Sequence, residues 1–117
     1  MEAARRGGPD IPEHVLGALD DFAGRLRRRF EGRVGQVRLF GSYARGDFHA
    51  ESDVDVLVVV HGLTERERRE TFEAAYEVYL ERWVDISPLS LSSAEWSDRR
   101  ARELRLVADI EREGIAL

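Results

Sequence analysis

The segment Asp53-Val54-Asp55-Val56-Leu57-Val58-Val59-Val60 constrains this chain more than any other. β-Branched side chains suit a pleated strand better than a helix. Period-two alternation then puts Val54, Val56, Val58 and Val60 on one face, which must be buried. Asp53 and Asp55 project together from the start of the opposite face. Such a strand needs neighbours to pair its backbone and helices to cover its valines. The apolar run 56–60 is far too short to cross a bilayer.

The remaining elements follow from periodicity and turn chemistry. Residues 1–9 read as a flexible tail punctuated by Gly7-Gly8-Pro9. Asp10 to Glu13 reads as a helix start, with Asp10 capping, Pro12 in the first turn and Glu13 completing an acidic capping box. Ile11, Val15, Leu19, Phe22, Leu26 and Phe30 form one apolar helical stripe, and Gly32 stops it. Residues 34–40 read as a strand with Val37 and Leu39 on one face, ended by a bend at Gly41-Ser42. A helical turn and a loop fill residues 43–52. A second helix is expected over 64–82, capped by Thr64 with Glu67, its apolar face made of Phe72, Ala75, Tyr76, Tyr79, Leu80 and the core residue Trp83. Residues 83–87 read as a third strand stopped by Pro88. Ser92 with Glu95 caps a last helix running to Glu113, with Leu104, Val107, Ala108 and Ile110 inward and Gly114 as its stop. This order predicts one α/β (α+β) domain over residues 10–117: a small mixed sheet with helices packed mainly on one side.

Composition narrows the function. The chain has 117 residues, enough for one compact domain, and 43% hydrophobic residues supply its core. The net charge of −5 argues against long nucleic acid as a direct partner. There are no cysteines, which excludes disulfides and thiol chemistry. All 18 basic residues are arginine, so arginine or backbone amides must bind any phosphate. With no secretory pattern at Met1-Glu2-Ala3-Ala4-Arg5-Arg6 and no apolar span, a cytoplasmic protein with no membrane role is expected.

Two carboxylates about 7 Å apart on one strand face repel each other unless a cation lies between them. Magnesium is the natural candidate, since it prefers oxygen ligands and shares them with phosphates. Asp85, flanked by Val84 and Ile86, repeats the pattern on the third strand. If the strands are neighbours, three carboxylates converge, as two-metal chemistry requires. The plainer alternative makes these aspartates solvated turn residues. A calcium loop would need a D-x-D-x-D-G run, which is missing. Before the loop, Gly41 lets backbone approach a ligand, Ser42 adds a hydroxyl donor and Arg45 a permanent positive charge. Alone, Gly41-Ser42 would mark only a strand-ending turn.

Together these pieces carry more. Gly41-Ser42, ten residues, then Asp53-Val54-Asp55 gives G-S-x10-D-x-D, in full GSYARGDFHAESDVDVLVVV. This resembles the minimal nucleotidyltransferases of the DNA polymerase beta superfamily. Val84-Asp85-Ile86 falls where that family places its third carboxylate, and Ile110-Glu111-Arg112-Glu113-Gly114-Ile115 is similar to its ending. The resemblance implies that Asp53 and Asp55 bind two Mg2+ ions. It implies that Asp85 binds the catalytic ion and helps deprotonate the acceptor, and that Gly41 and Ser42 hold the terminal phosphates of ATP. Arg45 is an added candidate for phosphate contact.

Small members of that family pair with a HEPN-domain protein as antitoxins of a type VII-like toxin-antitoxin pair, in the better understood cases by adding AMP to a tyrosine of that partner. At this length an acceptor-gripping second domain is not expected, so the acceptor is expected to be another protein. A binding-only antitoxin and a small-molecule (antibiotic) nucleotidyltransferase are the alternatives. The run Arg25, Arg27, Arg28, Arg29 reads as a solvated helix end, with a partner- or phosphate-binding patch as the alternative, and Arg66, Arg68, Arg69 read as surface ion pairing. His14, His49 and His61 are not expected to be ligands. Tyr43 suits base stacking or packing, and Trp96 core or interface.

Overall fold

The computed structural model describes residues 10–117; the tail expected at residues 1–9 lies outside the described residues. The elements are α1 (Glu13–Arg29), β1 (Val34–Phe40), α2 (Ser42–Arg45), β2 (Val54–Val60), α3 (Glu65–Arg82), β3 (Ile86–Ser92), α4 (Ser93–Ala101), α5 (Arg105–Glu113) and β4 (Ile115–Ala116). The sheet order is β3-β2-β1-β4. β1 runs antiparallel to β2 and β4, and β2 parallel to β3. This is the mixed sheet of an α+β domain that the sequence predicts. Among the described residues no helix is long and apolar enough to cross a membrane.

β2 is central, and both its faces are put to use. Val54, Val56, Val58 and Val60 join Val37 and Leu39 of β1 with Leu19, Phe22 and Leu26 of α1 in the larger core. Leu57 and Val59 join Leu91, Trp96, Val107 and Ile110 in a smaller one. Most of the packing therefore lies on the α1–α3 side, as expected, while α4 and α5 cover part of the other face. Trp96 is core. Each fully buried Leu or Val contributes about 1.5–3 kcal/mol, so the central strand is the most firmly held element of the sheet.

The capping boxes of Thr64 with Glu67 and Ser92 with Glu95 both form. Other expectations are corrected. At α1, Pro12 itself stands at the N-cap and no side chain caps the helix, because the fixed proline φ already directs the chain into it. On α3 the buried residues are Thr71, Ala74, Ala75 and Val78, small enough to bring the helix close to the sheet. Phe72, Tyr76, Leu80 and Trp83 face outward instead. The third strand is Ile86–Ser92, with Pro88 inside it. β3 lies at the sheet edge, where a missing N–H is tolerated. The last helix is broken into α4 and α5 around Glu103, at φ 54, which leaves Leu104 and Ala108 exposed.

The arginine runs are also corrected: several members join elements. Arg25 bonds Asp21, Glu77 and Glu81, and Arg82 bonds Asp21, tying α1 to α3. The Arg25 guanidinium, more than burial, sets Asp21, holding its carboxyl below the usual range. Arg29 donates to the Glu70 carbonyl and Arg27 to the Leu117 carbonyl. Arg68 donates to the Ser90 carbonyl, Glu65 and Glu95, joining α3 to β3 and α4.

Candidate active site

The site begins where β1 ends. Gly41 takes φ 77 and ψ −154, a glycine conformation, and opens α2. A Cβ at Gly41 would lie 2.5 Å from Asp55 Oδ2. The bend is therefore pressed against the β2 carboxylate, and glycine is what permits it. By the geometry of any helix start, the amides of Ser42 and Tyr43 have no intrahelical partner. The turn is closed by Ala44 N to Gly41 O at 3.1 Å and Arg45 N to Gly41 O at 3.0 Å. Tyr43 is buried and stacks on Phe48 at 4.3 Å, so it packs and does not face a ligand.

Gly41, Ser42 and Arg45 share one cleft of ≈ 380 Å³ with Asp53 and Asp55. Phe40 pairs with Asp55 across β1 and β2, which fixes the register of bend and carboxylates. Leu106, Asp109, Ile110 and Glu113 of α5 close the far wall. The sequence reading missed this wall, although Leu106, Asp109 and Glu113 share a helical face. Arg45 is held by Asp47 at 3.2 Å and Glu113 at 3.4 Å.

The electrostatics favour a cation. Four carboxylates line the cleft against one guanidinium. Asp109 and Glu113 pair with Arg112, and Glu113 also with Arg45. The carboxylates of Asp53 and Asp55 take no hydrogen bond or ion pair among the described residues. Burial first, then the charge of Asp53, pushes the Asp55 carboxyl above its ordinary 3.8, while Arg45 pulls it back. A divalent ion would relieve both effects, and Mg2+ commonly takes one or two carboxylates plus substrate phosphates. The donor set fits.

Asp85 departs from the expectation. It lies in the α3–β3 connection, one residue ahead of β3, just as Asp53 lies one residue ahead of β2, and its carbonyl accepts from Val54 N at 3.4 Å. It stands one residue ahead of the Val54–Ile86 pair, level with Asp53 in the parallel register. Asp85 lines one cleft against α3 and another against residues 50–52, and is not among the residues lining the cleft of Asp53 and Asp55. Among the described residues, no group of three His, Cys, Asp or Glu is placed to hold a metal ion. The His49 ring accepts from Glu51 N and the His61 ring meets Ser93 Oγ, and neither residue lines the cleft of Asp53 and Asp55.

A glycine-permitted bend beside the carboxylates of Asp53 and Asp55 is an arrangement suited to nucleotide phosphates and a cation. The nucleotidyltransferase domain model matches residues 19–114, and the chain belongs to that family. Two proteins of Methanocaldococcus jannaschii, MJ0141 and MJ1305, both provisionally named protein adenylyltransferases, are 34% and 32% identical over 76 and 82 residues. These matches cover 64% and 68% of this chain and 77% and 56% of the relatives. A third, MJ0604, is 48% identical over 42 residues, 36% of this chain; the match spans less than half of that relative, 42% of its length. A solved structure described as a minimal nucleotidyltransferase shares 26% identity at a TM-score of 0.60, covering 90% of this chain and 94% of that one. A toxin-antitoxin structure with AMP-PNP shares the fold at a TM-score of 0.55 and 20% identity, covering 83% and 70%.

Proposed function

We propose that this chain transfers AMP from ATP to a hydroxyl of a protein, most specifically a tyrosine of a HEPN-type toxin for which it is the antitoxin. The observation that carries the reading is the single cleft holding Gly41, Ser42, Arg45, Asp53 and Asp55. The bend amides, the Ser42 hydroxyl and Arg45 bind the terminal phosphates and hold the triphosphate in one orientation. Asp53 and Asp55 hold Mg2+, which when bound neutralises phosphate charge and polarises the reacting phosphoryl group. Asp85, level with Asp53 on the acceptor side, orients the hydroxyl and takes its proton; with a second ion it is a metal ligand as well. The acceptor oxygen bonds to the α-phosphorus, the bond to the departing pyrophosphate breaks, and the proton goes to a carboxylate. The names of the M. jannaschii relatives and the toxin-antitoxin complex among the fold relatives support the choice of protein acceptor.

The test is transfer of labelled AMP, with magnesium, to the product of the adjacent gene. Label should reach that partner and vanish in Asp53→Ala and Asp55→Ala. A partner neutralised without label, equally well by Asp53→Ala, would establish binding alone. Label moving to an aminoglycoside with no protein present would establish a small-molecule enzyme.

A further inference from the structure

α3 keeps its largest side chains where the sheet does not cover them. Phe72, Tyr76, Leu80 and Trp83 are 51%, 61%, 56% and 78% exposed. The rings are ordered against one another. Tyr76 stacks near Tyr79 at 6.4 Å, and Tyr79 meets Trp83 edge-on at 5.8 Å. Phe72, Tyr76 and Tyr79 enclose, with Asp85 and Ile86, a cleft of ≈ 340 Å³. Contiguous apolar surface of this kind marks an interaction site, and Trp and Tyr are its usual anchors.

Trp83 adds an independent observation. It ends α3 in the left-handed conformation, φ 58 and ψ 30. Glycine or asparagine suits that position, and a bulky side chain there is strained. Stability alone would favour glycine here and polar residues along the stripe. A fold that keeps the opposite choices at adjoining positions keeps them for contact with something else.

Charge identifies the occupant. Asp85 lines the aromatic cleft, and its carboxylate has no ion pair or hydrogen bond among the described residues. Glu51 lines a neighbouring cleft with Trp83 and Asp85, and its carboxylate is likewise unpaired. Phosphates are repelled from such a surface. An apolar anchor with a cationic flank is complementary to it, the cation lying against carboxylate and indole.

We propose that the α3 aromatic stripe and Asp85 form the docking surface for the acceptor, a protein segment with an apolar anchor and basic flank, which sets its hydroxyl beside Asp85. The placing of the hydroxyl rests on the transfer reading above; the docking does not.

The probes are a short peptide of one tyrosine among leucines and arginines, and a twin with every arginine replaced by glutamate. Binding is followed by indole fluorescence and by side-chain NMR shifts. The arginine peptide should bind and shift Phe72, Tyr76, Tyr79 and Trp83. Its twin should bind about tenfold more weakly or worse. Trp83→Gly and Tyr76→Ser should each weaken the arginine peptide by about tenfold or more, as loss of a central anchor does, while Mg-ATP affinity is unchanged. Equal binding of both peptides, no binding, shifts elsewhere, or affinity that survives both substitutions overturns the proposal. So does self-association through the stripe that Trp83→Gly abolishes. Docking without AMP transfer leaves the surface standing and counts against the transfer reading; transfer unaffected by both substitutions does the reverse.

Discussion

Replacing Gly41 by alanine should damage fold and site together. Gly41 holds φ 77 and ψ −154, and keeping alanine in that glycine region costs about 1–3 kcal/mol. The added Cβ would also stand 2.5 Å from Asp55 Oδ2. The carboxylate must swing away, at about 1 kcal/mol for an off-rotamer side chain. The sum, about 2–4 kcal/mol, corresponds to a Tm lower by roughly 10 °C for a domain of this size. Gly62→Ala is the control, with φ 66 and nothing within 4 Å of its added Cβ; it should lose only about 1–2 kcal/mol. Asp55→Ala removes the oxygen that is struck, so a double-mutant cycle should show about 1 kcal/mol of coupling between Gly41→Ala and Asp55→Ala. Urea denaturation measures the stabilities, and calorimetry the affinity for Mg-ATP. Gly41→Ala should weaken that affinity about tenfold or more, and Gly62→Ala should leave it alone. If Gly41→Ala is as mild as Gly62→Ala, shows no coupling to Asp55 and binds Mg-ATP normally, the bend does not support the carboxylate and the site is misread.

Other perturbations have definite signs. Because the folded-state pKa of Asp55 is raised, first by burial and then by Asp53, its ionised form opposes folding: its contribution is favourable below the ordinary 3.8 and lost as pH rises through the folded value. Asp55→Asn should thus gain about 1 kcal/mol at neutral pH, the Coulomb energy of charges ~7 Å apart at an effective dielectric of 40–80, with the gain fading as pH falls through the carboxylate range in thermal melts; added magnesium should stabilise the native chain more than the variant. Thr71 Oγ1 meets Ser90 Oγ at 2.7 Å in the core and donates to the Arg68 carbonyl at 2.6 Å, so Thr71→Val should lose about 1–3 kcal/mol by urea titration, a buried hydroxyl being stranded. Trp83→Gly relieves the left-handed C-cap and should raise stability by about 0.5–1 kcal/mol; a Tm that drops by several degrees would show that the indole is needed for folding.

Where local chemistry decides the structure, the sequence is legible. The alternation of β2, the stripe of α1, the two capping boxes and the Gly41-Ser42 bend all appear where residue type and spacing put them. The family motif gathers bend and carboxylates before any coordinate is known, and the cleft does hold them together. What escapes depends on which neighbour an element meets. Hydrophobicity marks Phe72, Tyr76 and Leu80 as the inner face of α3, yet Ala74, Ala75 and Val78 pack inward because smaller residues allow a closer approach. Pro88 reads as a stop only if the strand is interior, and its place at the sheet edge removes the objection. The α5 wall escapes because its register depends on the break at Glu103, which no glycine or proline announces.

The sheet order explains how so small a domain can hold two reactants. β2 is central, with β1 on one side and β3 on the other. Val54, Val56, Leu57, Val58 and Val60 are each 3% exposed or less, so the strand that carries Asp55 and is led into by Asp53 is anchored along most of its length. The glycine bend enters from the β1 side with α5 beyond it, and the aromatic cleft opens on the β3 side with Asp85 at its edge. A nucleotide on one flank and an acceptor on the other would thus meet over the most rigid strand, from opposite directions and on surfaces of different chemistry. An order with β1 and β3 on the same side of β2 would preserve every local motif and lose this arrangement. On the proposed transfer reading, the place of Asp85 outside the cleft of the carboxylate pair would have a use: it would lie on the side from which the hydroxyl arrives.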